Sequence, residues 1–170
     1  MDLWFNGFLM KNILITSGMH AFAQRIARTL SPGDSVVFGD SSALPEIMVK
    51  SGKYFNLPKA SSASFSHELL SLALDKEVDI IIPLKQSEIR QLTACRDLFE
   101  EYGIQVAVPS IKVLNEIDFI VNPAKDFFPS VFLNGKPLSQ TTAETISDTY
   151  SGVCLVSDSG EEVLFCCVEE

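Results

Sequence analysis

Three consecutive isoleucines, preceded by Val78-Asp79 and stopped by Pro83, constrain this chain more than any other feature. A β-branched run without polar alternation suits a strand buried on both faces, the situation of a strand inside a parallel sheet that is covered on each side. Pro83 has no amide hydrogen for a neighbouring strand, so pairing stops there and Leu84 to Ser87 become a loop at the strand's carboxyl end. Ser87 then reads as the cap of the next helix, which Glu88 opens. Ligands of open α/β sheets bind beyond the carboxyl ends of the strands, which is where this loop stands.

The flanking segments repeat the alternation of strand and helix. Asn12 to Thr16 reads as a first strand, Ser17-Gly18 as a turn, and His20 to Leu30 as a helix with Phe22, Ile26 and Leu30 on one stripe. Ser35 to Phe38 is a second strand closing at Gly39-Asp40, and Leu44, Ile47 and Met48 mark a short helix. Tyr54 to Pro58 reads as an edge strand, after which Ser66 caps a helix through Glu77. A single helix is expected from Glu88 to Tyr102, closed by Gly103, then a strand over Ile104 to Val108 and a short helix from Pro109-Ser110 to Asp118. The spacing predicts an α/β domain over residues 11–118, a Rossmann-like doubly wound parallel sheet of five strands in the order 3-2-1-4-5.

After Asp118 the pattern changes. Asn134-Gly135 is a tight-hairpin signal, and Val153 to Ser157 and Val163 to Val168 flank the turn Asp158-Ser159-Gly160, so residues 119–170 read as a small antiparallel β appendage. Residues 1–10 read as an amino-terminal extension, with Met10-Lys11 a second candidate start. That extension has Asp2 and no basic residue ahead of its apolar part, unlike a secretion signal, and it is too short to span a bilayer.

Charge and cysteine usage narrow the partners. With 22 acidic against 13 basic residues, a formal net charge of -9, the surface repels phosphate backbones and acidic lipids, so neither nucleic acid nor membrane is expected as a partner. Cys95, Cys154, Cys166 and Cys167 form neither a C-x-x-C pair nor a metal-ligand spacing, which predicts no metal site and a reduced, cytoplasmic setting. His20 and His67 stand in separate segments, and no catalytic constellation emerges from the residues.

Two further features bear on ligands. Ser17-Gly18-Met19-His20 offers backbone donors at a helix amino terminus, suited to a carboxylate or phosphate. Asp40, 22 residues after Gly18 and followed by Ser41, stands where dinucleotide-binding folds hold a ribose hydroxyl, which opens an alternative reading as a nucleotide-cofactor-dependent Rossmann enzyme. Against it, the turn has one glycine where G-x-G-x-x-G needs three, and Met19 and Phe22 would crowd a pyrophosphate.

Taken together, Ile13-Leu14-Ile15-Thr16-Ser17-Gly18, the Tyr54 to Pro58 segment, Val78 to Pro83 followed by Glu88, and Gly103-Ile104 to Val108-Pro109-Ser110 resemble the amino-terminal, pre-ATP-grasp domain of ATP-grasp carboxylate-amine ligases and carbamoyl-phosphate-synthase-like proteins. The resemblance covers about two-thirds of the chain. It implies that the loops at the strand ends, Ser17 to His20, Asp40-Ser41 and Lys85 to Glu88, shape one wall of a substrate cleft. In that family ATP is held mainly by later domains, through a lysine soon after the equivalent of Asp118, a lysine on a β-strand and acidic magnesium ligands. Here Phe119 follows Asp118 and the sequence ends at Glu170, so no ATP or magnesium cofactor is expected and the chain reads as a relative lacking the grasp region. It would bind a small anionic metabolite or support a separately encoded ATP-grasp partner. Ser151-Gly152-Val153 with Glu161-Glu162 resembles a stretch inside the grasp domain, though a hairpin accounts for it more simply.

A third reading comes from Val163 to Val168, six apolar residues in a row. Such a strand must be covered within its own chain, for which the helix after Val108 is available, or paired with a second copy. The expectation drawn from it is a two-fold homodimer through this carboxyl-terminal segment.

Overall fold

The computed structural model describes residues 10–138 and 144–170. Residues 1–9 of the expected extension and 139–143 of the polar stretch before Tyr150 lie outside them. The first part of the chain alternates as its periodicity requires: β1 (Asn12–Ile15), α1 (Ala21–Thr29), β2 (Ser35–Asp40), α2 (Glu46–Lys50), β3 (Tyr54–Asn56), α3 (Phe65–Asp75), β4 (Ile80–Ile82), α4 (Gln86–Ala94), α5 (Arg96–Glu101), β5 (Gln105–Val106) and α6 (Ile111–Glu116). Its five strands form the expected sheet, β3-β2-β1-β4-β5, with every neighbouring pair parallel. Leu14 on β1 sits opposite Val37 on one side and Ile81 on the other.

Alternation along β1 and β4 sends their side chains to two cores. Leu14 and Ile81 pack with Leu69, Leu70, Leu92 and Phe99 from α3, α4 and α5. Ile13, Ile15, Ile80 and Ile82 pack with Phe22 and Ile26 from α1. All three isoleucines of β4 are completely buried, as a strand covered on both faces must be.

Local chemistry shifts several helix ends. The helix expected from Glu88 to Tyr102 is broken at Cys95, which joins α4 to α5. The Cys95 thiol lies 3.2 Å from the Gln91 carbonyl and 3.1 Å from the Ser66 hydroxyl, a side-chain interaction that competes with the main-chain ladder. Lys85 takes the cap position of α4 that was expected of Ser87, and Ser64 that of α3 expected of Ser66.

The second part forms β6 (Phe119–Val121), β7 (Ser130–Leu133), β8 (Lys136–Pro137), β9 (Gly152–Val156) and β10 (Val163–Cys167) in a sheet of order β6-β10-β9-β7-β8. The Asn-Gly signal is realised as the β7–β8 hairpin, with Asn134 at φ 49° and Gly135 at φ 74°, the left-handed pair that a tight two-residue turn demands. A Cβ on Gly135 would stand 2.3 Å from the Ile146 carbonyl oxygen, so close approach as well as φ requires glycine there.

One expectation is corrected here. The sheet is mixed rather than antiparallel, because β6 pairs parallel with β10. The second sheet packs on the first: Val131, Val153, Cys166 and Val168 lie with Ile13, Ile15, Phe22 and Ile80, while Phe132, Cys154 and Phe165 form a further cluster among its other side chains. Arg25 of α1 reinforces the junction, donating to the carbonyls of Pro123 (2.8 Å), Ala124 (2.9 Å) and Phe127 (2.8 Å).

The route expected for a homodimer is also lost. β10 is an interior strand with β9 on one edge and β6 on the other, leaving no edge for a second copy. Phe165 is 2% exposed. Its ring meets those of Phe119 and Tyr150, and Val113 and Ile117 from α6 and the residue after it pack on the same cluster. Cover by the helix after Val108 is the alternative that the structure adopts. No helix among the described residues is long and apolar enough to cross a membrane.

Candidate functional site

The carboxyl ends of β1, β2, β3 and β4 converge, and Thr16 is the pivot. Its hydroxyl donates to Glu88 Oε2 at 2.5 Å and accepts from the Leu84 N–H at 2.8 Å. The same carboxylate oxygen accepts the Lys85 N–H at 3.4 Å. Thr16 is wholly buried and Glu88 is 1% exposed, so one node ties β1, the loop after β4 and the first turn of α4. Burial pushes the Glu88 carboxyl up from its ordinary value, against the opposing pull of the Thr16 hydroxyl, the Lys85 N–H and the Lys85 charge.

The turn after β1 is a different kind of structure from the open anion cradle that its sequence suggests. The Gly18 N–H donates to Gly39 O (2.9 Å), the Met19 N–H to Asp40 Oδ2 (3.1 Å) and the His20 N–H to Ser17 O (2.8 Å). His20 Nδ1 caps the helix by accepting the Phe22 N–H at 3.1 Å. These donors are satisfied inside the chain. Gly18 is pressed so closely on β2 that a Cβ would come within 2.6 Å of Phe38 Cβ. Asp40 braces the same junction, its Oδ1 accepting both the N–H (2.9 Å) and the hydroxyl (2.6 Å) of Ser42. Burial pushes its carboxyl up, but the Ser42 and Met19 donors and the Lys85 charge outweigh it and hold the pKa below the ordinary value. Both Asp40 oxygens thus serve the protein rather than standing open for a ribose.

At the same strand ends a cleft of about 400 Å³ opens, lined by Ser41, Ser42, Lys59, Ala60, Ser61, Lys85, Ser87, Glu88 and Glu170. The ten expected residues therefore divide. Ser41, Lys85, Ser87 and Glu88 line the cleft, while Ser17, Gly18, Met19, His20 and Asp40 build the turn beside it. Gln86 opens α4 without lining the cleft. Lys85 Nζ reaches the Ser41 hydroxyl at 3.4 Å, linking the loops after β4 and β2.

Lys59, Ala60 and Ser61 were not foreseen, although β3 runs parallel to its neighbours and the loop after it must emerge at the same end. Glu170, 83 residues from its partner Ser87, carries no local signal at all. Among the described residues, no group of three or more His, Cys, Asp or Glu side chains is placed to hold a metal ion. Burial raises Cys166 to about 12 and Cys167 to about 11, which keeps these two thiols protonated at neutral pH.

Residues 13–107 match the family model described as PylC-like, N-terminal domain. The chain belongs to this family. It is a pre-ATP-grasp domain, the Rossmann-like unit at the amino terminus of ATP-grasp ligases. The PylC-like match begins in β1 and ends just after β5, so it contains the parallel sheet apart from Asn12 and every residue lining the cleft except Glu170. A comparison with curated proteins finds no match.

The buried carboxylate of this PylC-like domain sets a pH dependence. A carboxyl whose folded pKa is raised favours folding below its unfolded value, and that contribution is lost as pH rises through the folded pKa. Glu88→Gln keeps an oxygen for Thr16 and Lys85 but cannot ionise. Its melting temperature should gain on the wild type as pH rises from about 4.5 towards neutrality. A constant difference between the two proteins across that range, measured by thermal unfolding, would show that Glu88 titrates normally.

Proposed function

We propose that this chain is a non-catalytic binding module that holds a small anionic metabolite in the strand-end cleft and presents it to an ATP-grasp partner. The observation that carries the reading is the pair of lysines in the cleft. Lys59 and Lys85 line it together with serine hydroxyls, and neither makes a salt bridge among the described residues. Two ammonium groups beyond salt-bridge distance of any carboxylate among the described residues, beside several hydroxyl donors, suit a carboxylate or phosphate. Family membership supports the partnership, because a pre-ATP-grasp domain forms a wall of a larger catalytic assembly. Phe119, next to Asp118 where the family places a nucleotide-binding lysine, is instead committed to β6 and packs on Phe165, which supports a module that binds no Mg-ATP of its own. Four free thiols suit a cytoplasmic, reducing setting.

Titration calorimetry with succinate and inorganic phosphate tests the cleft. Lys85→Met and Lys59→Met should each weaken binding by about tenfold or more, the effect of losing one charge-assisted hydrogen bond. Absence of heat with either anion at millimolar concentration, or unchanged affinity in both variants, removes the reading. Mg-ATP should leave the melting temperature where magnesium alone leaves it, and a rise of several degrees would contradict the nucleotide-free part.

A further inference from the structure

We infer that Glu170 is an internal competitor for the cleft, its carboxylate holding the anion position at the first turn of α4 that an incoming carboxylate or phosphate must take over. The inference rests on the anion-binding reading above and adds a regulatory contact to the same site.

The delivery of this side chain is built into the fold. Beyond β10 the Val168 N–H donates to Leu84 O at 2.8 Å, and Val168 forms a parallel bridge with Lys85. The next main-chain N–H, that of Glu169, donates to Asn122 Oδ1 at 3.1 Å. Held on both sides, the tail crosses the end of β4 and brings Glu170 to α4. There Oε1 accepts the Ser87 N–H at 2.7 Å and Oε2 accepts the Ser87 hydroxyl at 2.5 Å. A carboxylate gripping a helix amino terminus with both oxygens makes the contacts that a free anion would make. The same residue lines the cleft with Lys59 and Lys85.

The other carboxylates nearby do not compete for this position, because Glu88 directs Oε2 to Thr16 and to the Lys85 N–H, and Asp40 accepts from Met19 and Ser42. The lysines are thus open to a ligand while the helix-end donors are closed by the chain's own glutamate. Among the described residues the exposed Glu170 side chain bonds only Ser87, so its carboxylate can rotate away from α4 without disturbing either core. A ligand that must displace it binds with an affinity reduced by the fraction of molecules in which the position is open.

The test compares wild type, Glu170→Ala and Glu170→Gln in calorimetric titrations with inorganic phosphate and succinate, together with hydrogen exchange of the Ser87 amide. Glu170→Ala should bind both anions about tenfold more tightly than wild type, as expected when a position closed nine-tenths of the time becomes open. Glu170→Gln should bind more tightly than wild type too, since the competing charge is gone. The Ser87 amide should be protected in wild type, exchange faster in Glu170→Ala, and regain protection when phosphate is added. Equal affinities in all three proteins overturn the competitor and leave the cleft as an anion site. Silence from all three with both anions overturns the anion reading and the competitor together.

Discussion

Phe165→Asp should abolish the folded state of the second sheet and expose the α1 face of the first. Phe165 is 2% exposed, with Phe119, Tyr150 and Gly152 against its ring. Truncating a buried phenylalanine costs about 3–5 kcal/mol, and an unpaired carboxylate in its place adds a desolvation penalty. Domains of this size are stable by about 5–15 kcal/mol in total, so the sum approaches the whole margin. Near-ultraviolet circular dichroism and urea unfolding should show lost tertiary packing and a collapsed midpoint. A variant that stays folded, melts within a few degrees of wild type and merely changes sedimentation would mean that β10 is a surface strand available to a partner. The shared core makes the damage propagate: Cys166 and Val168, on either side of Cys167, pack with Ile13, Phe22 and Ile80.

Thr16→Val should be the most damaging near-isosteric change at the strand ends. It removes the 2.5 Å donor to Glu88 and the 2.8 Å acceptor of the Leu84 N–H at a position with no solvent to replace them. Each orphaned buried group costs about 1–3 kcal/mol, more when charged, for a total of roughly 2–6 kcal/mol. Two controls distinguish this account from simple misfit. The loss should shrink on acidification, because a protonated Glu88 no longer leaves a buried charge short of a donor. The double variant Thr16→Val, Glu88→Leu should also cost less than the sum of its parts, since removing both partners of a buried pair is milder than removing one. A Thr16→Val cost below about 1 kcal/mol at neutral pH would mean that water enters the node and the pivot is not structural.

The division between the two strand-end loops has a consequence for function. Ser17 to His20 is by sequence the turn most like a ligand cradle, yet its Gly18, Met19 and His20 N–H groups donate to Gly39, Asp40 and Ser17. The first turn works as a joint between β1, α1 and β2, which leaves the cleft at Ser41, Lys59 and Lys85 as the proposed place for a ligand. The nucleotide-cofactor alternative needs the opposite arrangement, with an open glycine turn and a free Asp40.

What was legible in the residues follows from short-range chemistry. Three isoleucines can be buried on two faces only inside a covered sheet, Asn134-Gly135 can adopt the paired left-handed conformation, and the alternation of strands and helices leaves a parallel order as the short-crossover solution. Those signals operate within a few residues, so the sequence by itself determined the five-stranded sheet, its order and the end at which the loops after its strands gather. Only the tertiary structure decided whether the apolar strand Val163–Cys167 is an edge or an interior strand, because that depends on where β6 comes to lie, more than forty residues earlier. The same holds for the break at Cys95, which needs Ser66, and for the cleft, which needs Lys59, Lys85 and Glu170 from three separate segments. Apolarity says that a side chain must be covered; which surface covers it, and which charges are left facing the space that remains, is set by long-range packing.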